Sequence, residues 1–74
     1  MKHVITELFC FIVDDPNHGE EVPVSGGWMP LIAADAARLD SLRPFAADMA
    51  KFLGRPIRLV RFDNRTEMEV IKPE

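Results

Sequence analysis

A single cysteine, Cys10, is all this 74-residue chain carries, so no disulfide can form within it. That excludes the small stapled scaffolds of secreted proteins. The two histidines, His3 and His18, lack the paired spacing of a zinc site, and one cysteine cannot make a thiolate cluster. Tyrosine is absent and Trp28 is the one tryptophan, which leaves few rings to stack on nucleic-acid bases. Positive charge is not in surplus either. Nine Lys and Arg stand against twelve Asp and Glu, a net charge of −3, so no general attraction to nucleic acid follows.

Long hydrophobic runs are missing too. The longest, Leu8-Phe9-Cys10-Phe11-Ile12-Val13, is far short of the ~20 residues that span a bilayer. Met1-Lys2-His3 precedes it in the manner of a leader. Glu7, however, interrupts the apolar region and Asp14-Asp15 close it without a cleavage-type ending. A cytoplasmic protein with no membrane contact is expected. There is no internal repeat, linker or low-complexity tract.

What is present is the composition of one folded unit, 47% hydrophobic and 28% charged over residues 1–74. At this length a single core is only just sufficient. Residues 3–13 read as a long strand rich in β-branched and aromatic types. Its second half is apolar on both faces, which predicts a central strand buried on two sides. Asp14-Asp15-Pro16-Asn17-His18-Gly19 is a turn, from its Asx residues, proline and glycine. Short strands are expected over 20–24, with Val22 and Val24 inward, and over 28–33, where Pro30 demands an edge or a bulge.

Asp35 is a good N-cap, and Leu39, Leu42, Ala46, Met49 and Leu53 recur at spacings of three and four. Pro44 lies inside this pattern but roughly 160° from the centre of the stripe, at about 100° per residue. The apolar register passes it without a slip. One Pro-bent helix over 35–53 is therefore expected, rather than two with Ser41 capping the second. Gly54, Arg55 and Pro56 stop it. Strands follow over 56–62 and over 66–71, the latter alternating with Met68 and Val70 on one side. A short helix from Arg65 is the alternative there. The expected fold is α+β: a small antiparallel or mixed sheet of four to five strands, with the helix on one face.

The chemistry-bearing constellations are thin. Asp14, Asp15, Asn17, His18, Glu20 and Glu21 gather oxygens that suit a hard cation. The EF-hand spacing is not met, since Gly19 falls at position five and no Glu follows at twelve, so a solvated acidic turn is expected. Ser25-Gly26-Gly27 precedes a Trp rather than opening a helix, and so makes neither a phosphate loop nor a nucleophile elbow. Cys10 has no base or helix N-terminus near it in sequence. No active site assembles, no cofactor or metal is implied, and a non-catalytic chain is expected.

Charge is unevenly placed. Residues 1–34 carry one basic and five acidic groups, and residues 35–65 seven basic and four acidic. Oppositely charged ends on a small unit favour head-to-tail or two-fold self-association as readily as a foreign ligand. The arithmetic of cover also points to a partner, because one 18-residue helix, about 27 Å long, shields only one face of a sheet. The sequence therefore predicts an interaction or regulatory module acting as a homodimer or docking on a larger protein, with Phe9, Phe11 and Trp28 as interface residues. The alternative is nucleic-acid or phosphorylated-ligand binding through Arg55, Arg58, Arg61 and Arg65. Strand parity sends Arg58 and Arg61 to opposite faces, and pairing with Asp63, Glu67 and Glu69 across a hairpin would occupy the series.

Overall fold

A computed structural model describes residues 2–73. The elements are β1 (Leu8–Ile12), β2 (Val22–Val24), β3 (Gly27–Met29), β4 (Leu31–Ala33), α1 (Ala36–Leu53) and β5 (Arg58–Phe62). This is an α+β arrangement, with α1 laid on one face of a three-stranded antiparallel sheet of order β4-β1-β5. β2 and β3 form a separate hairpin, with Val22 opposite Met29 and Val24 opposite Gly27. The expected single sheet of four to five strands is thus divided. Pro30, which has no N–H for a ladder, falls between β3 and β4 and splits the anticipated strand 28–33 between the two sheets.

β1 is central, as its apolar run requires. Phe9, Cys10 and Phe11 face Ala33, Ile32 and Leu31 on one side. On the other side they face Arg61, Val60 and Leu59. Both neighbours run antiparallel to β1, so β4 and β5 are parallel to each other with β1 between them. α1 is the connection that crosses over β1 from one to the other. Directly opposed residues share a face, which sorts the sheet. Phe9, Phe11, Leu31, Ala33, Leu59 and Arg61 point to the helix side; Leu8, Cys10, Ile12, Ile32, Val60, Phe62 and Arg58 point away.

The core lies on the helix side. Phe11, Ala33, Leu39, Leu42 and Ala46 form it, with Phe9, Leu31 and Ile57 packed against it. α1 runs unbroken through Pro44, which is exposed. The Asp40 carbonyl that loses its helical donor is on the exposed side, where water can satisfy it. Ser41 caps nothing: its hydroxyl donates back to the Arg38 carbonyl at 2.7 Å, inside the helix.

Both helix ends are closed by their caps. The Asp35 carboxylate accepts from the Arg38 N–H at 2.7 Å. Gly54 takes φ +63° at the other end, and both its N–H and that of Arg55 reach the Ala50 carbonyl. Asp35→Ala is expected to cost about 1 kcal/mol, seen as an earlier urea midpoint with an unchanged m-value. An Asp35→Asn variant should recover most of the loss.

Residues 63–73 lie outside every element and are exposed throughout. The expected strand 66–71 has no partner in the fold, and no helix forms from Arg65. The first strand is likewise shorter than anticipated, because residues 3–7 leave the sheet. These two segments stretch the molecule. Its radius of gyration is 14.8 Å over extents of 46 × 28 × 23 Å, against about 11 Å for a compact chain of this length.

Candidate functional site

The helix-side residues singled out from sequence are spoken for. Phe11 is 6% exposed at the centre of the core, and Phe9 is half-buried against it. Neither is free to anchor a partner. Trp28 is half-buried on β3, with its ring stacked on the His18 imidazole at 3.7 Å and 4° between planes.

That stack joins the hairpin to the acidic loop, whose geometry is internal. The Asp15 carboxylate accepts from the N–H groups of Asn17 (2.8 Å) and His18 (2.9 Å) and meets His18 Nδ1 at 3.3 Å. Asp15 and Gly19 exchange both backbone bonds, at 2.8 and 2.9 Å, with Gly19 at φ +67°. A residue other than glycine would be strained there. The donors hold the Asp15 carboxyl below its ordinary range: the Asn17 N–H contributes most, burial opposes it, and the His18 N–H and imidazole add to the lowering.

A depressed carboxyl stabilises the fold above its unfolded value, and that contribution is lost as pH falls through the folded value. Following the Asn17 and His18 amide shifts against pH should therefore give a midpoint below the ~3.9 of a free Asp. A midpoint at or above that value would contradict the loop geometry. Among the described residues no group of three His, Cys, Asp or Glu is placed to hold a metal ion.

Cys10 is buried, its Sγ 3.6 Å from the Phe11 carbonyl. Burial pushes the thiol above its ordinary range, the Leu31 backbone pulls it back in part, and Glu20 pushes it further up. Such a thiol is a poor nucleophile.

The arginine series does not converge. The Arg55 guanidinium donates to the Asp14 carbonyl at 2.8 Å, tying the end of α1 to the end of β1. Arg65 donates to the Ile5 carbonyl at 3.1 Å, and Arg61 lies 3.4 Å from Asp63 and 3.9 Å from Glu7. Arg58 and Arg61 stand on opposite sheet faces, by the register already given. Three of the four have acceptors within the chain, and no phosphate-sized cluster forms.

The surface that stands out is the sheet face turned away from α1. Cys10 and Ile12 are buried there under a 240 Å³ cleft bordered by Glu20, Glu21, Pro30, Ile32 and Phe62. Its flank is open. Ile32 is 46% and Phe62 60% exposed, and Leu8, opposite Phe62, is exposed as well. Phe62 ends β5 on the face the helix does not cover. The signal for this face was in β1, where Leu8, Cys10 and Ile12 share one parity. Residues 3–8, Phe62 and residues 64–66 line a larger cleft of 680 Å³, and Arg65 and Ile5 of its lining are hydrogen-bonded to each other.

The fold class is thus a small α+β arrangement with one sheet face covered and the other half-open. No protein-family model matches the chain, and no curated protein or solved structure is similar to it. No helix is long and apolar enough to cross a membrane among the described residues.

Proposed function

We propose that the chain is a non-catalytic interaction module whose working form is a homodimer. The observation that supports this is the apolar strip Leu8, Ile32 and Phe62 on the uncovered sheet face; Met68, Val70 and Ile71 on the arm are exposed as well. Large apolar side chains grouped on one face of a small protein mark association sites. A self-sufficient monomer of this length has little apolar surface to spare. The interface therefore moves from Phe9 and Phe11 to the opposite face, with Phe62 as its anchor.

The arginine alternative has less behind it, since the side chains that would clamp a phosphate already bond carbonyls and carboxylates of the chain. Gel filtration with light scattering over a hundredfold range of concentration tests the reading. A mass rising to twice the 8.4 kDa of the chain is expected. A constant single-chain mass would refute it.

A further inference from the structure

We propose that the dimer forms by exchange of the C-terminal arm, residues 66–70 of each copy adding as an edge strand to β5 of the other. This rests on the association reading above and names the element that makes the contact. Three independent features of the chain converge on it.

The first is the free edge. Among the described residues β5 pairs with β1 on one side and with no strand on the other. Five residues of unpaired backbone invite a further strand. The second is the arm itself. It alternates, with Thr66, Met68 and Val70 at one parity and Glu67 and Glu69 at the other. Met68 is 94% exposed. β5 alternates in the matching sense, with Val60 and Phe62 on the open face and Leu59 and Arg61 on the helix side.

Setting the arm antiparallel to β5 with a two-fold axis at Asn64 places Val60 opposite Met68, Phe62 opposite Thr66 and Arg58 opposite Val70. The open apolar face then continues across the junction. On the other face Arg61 meets Glu67, and Asp63 meets Arg65. Every charged pair is of opposite sign, which stabilises directly opposed residues in a sheet. Moving the axis to Arg65 instead sets Arg58 against Lys72 and Asp63 against Glu67, two repulsive pairs. The charges select the first register.

The third feature is the hinge. Folding the arm back onto its own β5 would make the same pairs, with Asp63-Asn64-Arg65 as a three-residue loop. Such loops place a residue in the left-handed region, normally glycine. The hinge has no glycine, and no non-glycine residue among those described has positive φ. The loop stays open, and a second copy supplies the same pairs without the turn. That is the logic of domain swapping.

Cysteine cross-linking reads the register. In the exchanged dimer Asn64 faces its own copy across the axis, so Asn64→Cys should oxidise to a covalent dimer at least tenfold faster than Arg65→Cys. The parent chain, with only buried Cys10, should not cross-link. Deleting residues 66–74 should give a monomer with an intact cooperative melt. Glu67→Arg should weaken dimerisation on the order of tenfold, and Arg61→Glu added to it should restore it. Equal rates at positions 64 and 65, or a charge swap without rescue, overturn the exchange. A deletion variant that stays dimeric overturns the arm while leaving association through the sheet face standing. A full-length chain that is monomeric at every concentration overturns both.

Discussion

Replacing Phe11 by alanine is expected to remove most of the stability of this protein. Phe11 sits at the middle of β1, 6% exposed, between Leu31 and Leu59 and beneath α1. Deleting a buried phenylalanine side chain costs about 3–5 kcal/mol, through lost transfer free energy and the cavity left behind. A 74-residue fold holds roughly 4–11 kcal/mol in all. The melting temperature should fall by on the order of 20 °C, measured by far-ultraviolet circular dichroism. Phe52→Ala is the matched control. Phe52 lies on α1 but is 76% exposed, so its loss should stay within about 0.5 kcal/mol. Equal shifts in the two variants would mean that the helix is docked by a different face.

The second large effect falls on association and spares the fold. Phe62→Asp should weaken the dimer by about 30- to 1000-fold, the range of an aromatic hot spot of roughly 2–4 kcal/mol. Phe62 is 60% exposed in the single chain, so the substitution removes little from the core. In the dimer it would take the ring from its place opposite Thr66 of the second copy and set a carboxylate in the apolar face that runs across the junction. Sedimentation equilibrium gives the affinity, and the thermal melt of the diluted monomer checks the fold. A variant that dimerises as tightly as the parent would remove Phe62 from the interface.

The elements most legible in the sequence were those whose pattern is set locally. The stripe from Leu39 to Leu53 keeps its period across Pro44 because the proline sits on the exposed side, and α1 forms there as one helix between Asp35 and Gly54. β1 is central because Cys10, Phe11, Ile12 and Val13 leave no polar parity. The turn at Asp15 to Gly19 follows from the ability of an Asx carboxylate to bond the two amides that follow it.

Partners distant in sequence were not legible. Arg55 finds a backbone carbonyl 41 residues away, and Arg65 one 60 residues away. A carbonyl acceptor leaves no trace in residue identity. The sequence pattern at 66–71 alternates as an edge strand would, but alternation does not supply a neighbour, and no strand forms there. Among the described residues the segment has no strand partner and stands as an exposed arm. The exposed face was hard to read from sequence for a related reason. Phe9 and Phe11 are the bulkier members of β1, yet α1 takes their face, and the smaller Leu8, Cys10 and Ile12 mark the side the helix does not cover.

In the proposed dimer a second copy covers the open edge of β5. Amide hydrogen exchange of β5, measured at several protein concentrations, tests it at the contact itself. The alternate amides of β5 that do not bond β1 should exchange freely in dilute protein and become protected as the concentration passes the dimer dissociation constant. Those bonded to β1 should change far less. Outer-edge amides that exchange at one rate at every concentration would contradict it.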